Sequence, residues 1–207
     1  NVAEYSHFMV KSLGPYFSGS HVLIMQWDSF IVDPQAWDVA FLDYDYIGAP
    51  WPHRSQPVGN GGFSLRSRRL IDALQDADIR QTQPEDHVIC LDYHDLLVAR
   101  HGIRFAPVEL ARRFAFELTP PDGPVFGFHG FFNFHLALPD PELLSYLAGV
   151  DRSVLFSMPA RRLLKNLIDA GRHEPARRII DVRAGGNLKQ RLDAFKLRCR
   201  LALRRLR

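Results

Sequence analysis

The sequence predicts an α/β fold of the sandwich type with a helical C-terminal extension. Three observations predict it. Short apolar runs of strand length alternate with stretches of helical spacing over the first 150 residues, glycine-rich or acidic motifs fall where those runs end, and the composition changes near residue 150. Residues 1–150 hold 10 Lys and Arg against 18 Asp and Glu, while residues 151–207 hold 16 against 5. The formal net charge of +3 therefore conceals a body at −8 and a tail at +11. All three Trp, all six Tyr and 13 of the 15 Phe precede residue 150. An aromatic, acidic domain over residues 1–150 and a basic, aliphatic extension over 151–207 follow from that change.

The elements read in chain order as follows. Ala3–Leu13 has helical apolar spacing, ended by Gly14–Pro15. His21–Gln26 (HVLIMQ) is a short apolar run of the kind a buried strand requires. In PQAWDVAFLDY, Pro34 suits the first turn of a short helix. Tyr46–Ala49 is a brief strand closed by Pro50 and Pro52, and Gly61–Leu65 is a strand entered through a glycine turn. Ser67–Leu74 is a helix with Ser67 as its N-cap. Glu85–His101 carries Val88, Ile89, Leu91, Leu96, Leu97 and Val98 at helical spacing, and Phe126–Phe134 (FGFHGFFNF) is aromatic and extended. Met158–Ala184 reads as a helical hairpin turning at Gly171, with Pro175 in the first turn of the second helix.

Several classes are excluded on composition. No run of about 18 apolar residues exists, so no membrane-spanning helix is expected. The N-terminus lacks a basic stretch followed by an apolar one, so no signal peptide is visible there, and the absence of an initiator Met suggests a fragment. Cys90 and Cys199 are far apart and lack zinc-like spacing, which argues against a disulfide framework and for a reducing, cytoplasmic setting.

Four motifs carry potential chemistry. In Gln26-Trp27-Asp28-Ser29, a carboxylate follows directly on a strand, where an oxygen-preferring divalent ion bridging a diphosphate would need a ligand; the same Asp28 equally suits a turn. Val58-Gly59-Asn60-Gly61-Gly62-Phe63 has three glycines within four positions, permitting close backbone approach to a ligand or an ordinary loop turn. No Gly-Lys-Ser/Thr follows, so it is not a Walker loop. In Gln83-Pro84-Glu85-Asp86-His87, the acids suit a helix start or a cleft-facing base. In Gly127-Phe128-His129-Gly130, an imidazole flanked by glycines is either a metal ligand or a satisfied core residue. Trp51, in a proline-rich loop, is the aromatic residue least easily buried.

Taken in order, strand-Asp, glycine loop, Glu-Asp pair and late His resemble the core of GT-A glycosyltransferases, a Rossmann-type αβα sandwich. The strings DYDYIGAPW, VGNGGFSLRSR, ED and GFHGF are closer still to a family of uncharacterised domains grouped with those enzymes, over roughly Tyr5–Phe134. The resemblance implies sugar transfer from a nucleotide-diphosphate donor to a hydroxyl acceptor, a glycan or glycolipid, assisted by Mn²⁺ or Mg²⁺. It implies that Asp28 and His129 are metal ligands and that Gly61 and Gly62 lie beside donor sugar and acceptor; Asn60, within that loop, and Trp51, whose ring suits the C–H face of a sugar, join them as candidate substrate contacts. It implies that Asp86 is the base and that Glu85 holds substrate hydroxyls. Gln26 stands where the metal motif of those enzymes has its first carboxylate, and the first βαβ unit of such domains has no counterpart before Tyr5. A non-catalytic nucleotide-sugar- or glycan-binding domain of the same fold is the alternative.

The tail ends in Leu188–Arg207, with eight Lys and Arg and one acid. Leu188, Leu192, Phe195, Cys199, Leu203 and Leu206 recur at helical spacing, which makes this a basic amphipathic helix. It is suited to docking on the body with its charges solvated, or to lying on an anionic membrane surface at the inner face of the membrane. Nucleic acid ranks below lipid as a partner, because interleaved aromatics and a known motif are missing. A basic adaptor that binds nucleic acid through the tail is the third reading.

Overall fold

The N-terminal spacing folds as α1 (Val2–His7), and Asn1 and Glu4 cap its start reciprocally. A π-helical turn over Phe8–Ser12 carries it to the Gly14–Tyr16 turn. The apolar run then forms β1 (His21–Met25), followed by β2 (Ser29–Ile31). The segment expected as one short helix from Pro34 is instead two 3₁₀ turns, Pro34–Ala36 and Val39–Asp43. Asp33 and Asp38 each cap one turn by accepting a backbone N–H, and that restart prevents a continuous helix. β3 (Tyr46–Gly48) and β4 (Phe63–Ser67) follow, with Ser67 accepting from Leu70 N as the N-cap of α2 (Arg68–Ala73). The long helical stretch is α3 (Glu85–His87), a π turn (Val88–Asp92) and α4 (His94–His101), closed by Gly102 in the left-handed conformation. α5 (Val108–Phe114), β5 (Ala115–Phe116) and β6 (Gly127–His129) complete this part.

Strand pairing is antiparallel except at one junction. One sheet has the order β1-β4-β3, with Leu23 opposite Leu65 and Ile47 opposite Leu65 on the other side. The other has the order β2-β6-β5, with Ser29 opposite His129 and, in parallel, Phe116 beside Phe128. Alternation along the strands covers the first sheet on both faces. Ile24 and Tyr46 pack with Met9, Leu70, Leu74, Val88 and Leu97. Ile47, Phe63 and Leu65 pack with Phe41, Phe114 and Phe126 on the opposite face. Burying each of these large side chains stabilises the fold by about 1.5–3 kcal/mol. The architecture is mixed α/β, as expected.

The structure, a computed structural model that describes residues 1–54 and 56–204, divides into two units, Asn1–His129 and Gly130–Arg207. That division precedes the composition boundary near residue 150. The expected extended segment Phe126–Phe134 explains part of the difference: its strand ends at His129, and Gly130 adopts φ 98°. Phe131–Asn133 then form a 3₁₀ turn leading into α6 (Phe134–Ala137). Phe131 and Phe134 stack on Tyr146, with centroids 6.0 and 4.3 Å away, so these aromatics belong to the second core.

The second unit is all helical after α6: α7 (Asp140–Gly149), α8 (Met158–Asp169), α9 (His173–Ala184) and α10 (Leu188–Arg204). The α8–α9 hairpin turns at Gly171, φ 71°, as the sequence predicts. α10 docks through Ala194, Leu197 and Leu201, not through the apolar stripe read from its sequence. Of that stripe, Leu188, Leu192, Phe195, Cys199 and Leu203 are exposed, and Leu206 lies outside the described residues. Asp193, the one acid of α10, receives Arg161 at 2.6 Å and the buried Arg183 at 3.2 Å, which fixes the helix by the face that carries Ala194. Among the described residues no helix is long and apolar enough to cross a membrane.

Candidate functional site

The second sheet of the first unit determines what surrounds His129. β6 is its central strand. Ser29 pairs with His129, so Asp28, one residue earlier, arrives beside the imidazole. On the other side Phe116 pairs with Phe128, so Glu117, one residue later, arrives level with His129. The ring is held between two carboxylates: Nε2 lies 3.3 Å from Asp28 Oδ1, and Nδ1 lies 3.4 Å from Glu117 Oε1. Asn60 Nδ2 donates to Glu117 Oε2 at 2.8 Å and sits 3.0 Å from Nδ1, because amide and imidazole converge on one carboxylate.

Burial pulls the pKa of His129 down, but the carboxylates of Asp28 and Glu117 facing its two ring nitrogens outweigh it and raise the imidazole to about 9. At neutral pH the cluster is thus one imidazolium between two acids. Asp28 Oδ1 is buried 3.3 Å from Nε2 and accepts no hydrogen bond. A buried, unsatisfied acceptor beside an imidazole nitrogen is a donor pair suited to a divalent ion. Glu117 on Nδ1 is placed as an outer carboxylate that could orient the imidazole if Nε2 were to ligate an ion. Among the described residues no cluster of three or more His, Cys, Asp or Glu side chains could hold a metal by itself. The pair could hold a divalent ion only with further ligands from outside the chain.

The glycine loop forms the floor. A Cβ at Gly62 would fall 2.3 Å from His129 Nε2, and one at Gly61 would fall 2.3 Å from Glu85 Oε1 and 3.2 Å from Asp86 Cβ. Both positions therefore require glycine for close approach, and through them the Asp28–His129 pair and the Glu85–Asp86 pair border the same loop. The loop is pinned from several sides. Ser29 Oγ donates to Gly62 O at 2.7 Å, Ser64 Oγ to Gly61 O at 3.1 Å, and Tyr46 OH to Gly59 O at 3.2 Å. Asn60 adopts φ 53°, which directs its amide at Glu117.

The two acids of the Glu-Asp motif differ. Glu85 is buried, and its Oε1 lies 3.4 Å from Nη2 of the fully buried Arg66. Arg66 also donates from Nε to Ser64 Oγ at 3.1 Å and lies over the Tyr46 ring. Asp86 is half-buried and accepts from His87 N at 2.8 Å through Oδ1. Trp51 is half-buried, packs on the Gly59 backbone and meets the His87 ring edge-on at 5.5 Å. A cavity of about 320 Å³ opens beside it, lined among others by Arg54, Arg112, Phe116 and Glu117. That volume lies near the lower end for small-molecule sites, about 300–1,000 Å³.

A family model described as Protein of unknown function (DUF5672) matches residues 1–129, the whole of the first unit. The chain belongs to the DUF5672 family. No curated protein and no solved structure matches it. All the site residues of this DUF5672 chain lie within the matched span, and the helical second unit lies outside it.

The structure brings the expected Asp28, His129, Asn60, Gly61, Gly62, Glu85 and Asp86 around one loop, with Trp51 on the adjoining cavity. Sequence reasoning missed Glu117 and Arg66. The signal for Glu117 was present in Phe-Ala-Phe-Glu-Leu, where an acid directly follows an apolar run, the same pattern that singled out Asp28. Arg66 carried no comparable signal, because a charged residue within FSLRS reads as solvent-facing.

Proposed function

We propose that residues 1–129 form a GT-A-type domain that transfers a sugar from a nucleotide-diphosphate donor to a hydroxyl acceptor, a glycan or glycolipid. The observation that carries this reading is the convergence of three distant segments on the glycine loop, with Asp28 3.3 Å from His129 on one side and the Glu85–Asp86 pair on the other. Asp28 and His129 would hold Mn²⁺ or Mg²⁺. When bound, such an ion supplies positive charge against the departing diphosphate. Gln26 in place of a carboxylate leaves the protein few anionic ligands, so donor and metal would bind together.

The chain's own residues divide the remaining work. Glu117 orients the His129 ring through Nδ1. Gly61 and Gly62, having no Cβ, let Glu85 and the His129 ring close against the loop that would carry the donor. Asp86 takes the proton from the acceptor hydroxyl as it attacks the anomeric carbon, a contribution of about 10²–10⁴-fold. Glu85, held by Arg66, is a positioning residue that fixes the helix start carrying Asp86. Trp51 offers its ring to a sugar face, and Arg54 and Arg112 give the cavity positive charge suited to phosphate.

The test is release of nucleoside diphosphate from a panel of nucleotide sugars, with and without Mn²⁺. Metal-dependent turnover that Asp86→Asn abolishes while nucleotide binding persists is the expected result. Full turnover in Asp86→Asn would refute the assignment of the base. Donor binding without turnover in the wild type would favour the binding-only reading of the same fold.

A further inference from the structure

α10 has two apolar faces, and only one of them is used. Ala194, Leu197 and Leu201 are buried against the other helices of the second unit. Leu188, Leu192, Phe195 and Leu203 are 70%, 54%, 66% and 66% exposed, and Cys199 among them is exposed as well. At about 100° per residue these five positions fall within an arc of about 80°, on the side of the helix opposite the docked face. Single exposed apolar residues are ordinary, but an aligned row of five on one helix is not explained by folding.

Charge flanks the row on both edges. Arg191 and Arg198 border it on one side, and Lys189, Lys196 and Arg200 on the other. Arg198 and Arg200 make exposed pairs with Asp181 and Asp169. Such pairs are weak and screened by salt, so they leave the edges positive. The surrounding sequence reinforces this, with 16 basic against five acidic residues over 151–207. An apolar centre with cationic margins complements the acyl region and headgroups of an anionic bilayer. It does not complement nucleic acid, which needs cations at the centre of the contact, nor a second copy, whose like-charged margins would meet.

We propose that α10 lies in the headgroup layer of an anionic membrane, with Leu188, Leu192, Phe195 and Leu203 among the acyl chains and the flanking Lys and Arg on anionic headgroups. The face that carries Asp193 and Leu197 stays docked, so the helix binds without leaving its unit.

Cosedimentation of the full chain with phosphatidylcholine vesicles, with and without phosphatidylglycerol, tests this. Binding is expected only with the anionic lipid and is expected to fall as salt rises. Leu192→Asp/Phe195→Asp is expected to weaken it at least about tenfold. Lys189→Gln/Arg191→Gln/Lys196→Gln should lose about fivefold per charge, or about a hundredfold together. The substituted side chains are exposed, so the melting temperature should not change. A readout on the unaltered protein is independent of any variant: Cys90 is buried, so a water-soluble maleimide reports Cys199, and anionic vesicles should slow its alkylation. Equal sedimentation of Leu192→Asp/Phe195→Asp, an unprotected Cys199, tight nucleic-acid binding without vesicle binding, or concentration-dependent dimerisation through this face would each overturn the proposal.

Discussion

Gly62→Ala probes the site with a single methyl group. Its Cβ would sit 2.3 Å from His129 Nε2, whereas ordinary contacts begin at 3.4 Å, so ring or loop must yield by about 1 Å. Gly62 does not occupy the left-handed region, so the backbone itself tolerates alanine and the effect arises from the collision alone. Overpacking of this kind costs about 1–3 kcal/mol. A displacement of about 1 Å at the ring should lower kcat/KM about 10²-fold. The assay pairs donor turnover with thermal melting, and Tm should fall by about 2–4 °C per kcal/mol lost. His129→Ala removes the ring that the methyl group strikes. Adding Gly62→Ala in that background should therefore cause little further loss of stability. Wild-type melting and turnover in Gly62→Ala, or an undiminished penalty in the His129→Ala background, would refute the placement of the imidazole over the loop.

Further outcomes follow from the same contacts. In the metal-free protein His129 has its pKa raised to about 9, so its ion pairs stabilise the fold fully below the ordinary imidazole value near 6.5 and lose that contribution as pH rises through 9. The difference amounts to about 3 kcal/mol at about 1.4 kcal/mol per pH unit; urea unfolding should show it in the wild type and not in His129→Gln. Glu117→Gln should weaken Mn²⁺ binding in the presence of nucleotide about 10–100-fold by calorimetry while leaving the fold intact. Glu85→Gln leaves the fully buried Arg66 guanidinium without its acid and should cost about 3–5 kcal/mol in denaturant unfolding, a loss that Asp86→Asn should not share.

Local signals carried most of the fold. The β1 run, the Ser67 cap, the Gly171 turn and the α8–α9 hairpin are each determined by residues within one or two turns, so their elements were legible. Features decided by distant partners were not. Phe131–Phe134 looked extended because aromatics favour strands, yet Gly130 and the stacking on Tyr146 make the segment helical. α10 showed an obvious apolar stripe, but Ala194, Leu197 and Leu201, joined by Asp193 with its two arginine partners, provided the docked face. At the site, the chemistry-bearing residues announced themselves by position after strands and within glycines. Glu117 follows an apolar run as Asp28 does, but its place beside His129 comes from the parallel pairing of β5 with β6, a distant partner that the FAFEL segment does not specify.

Crystals grown with a nucleoside diphosphate and Mn²⁺ offer the most direct measurement, because anomalous scattering locates the ion independently of any activity. An anomalous peak bound by His129 Nε2 and the Asp28 carboxylate, bridging to the phosphates above Gly62, is the predicted result. A nucleotide bound elsewhere, or bound there with the imidazole still paired to Asp28 and no ion between nucleotide and protein, would contradict it.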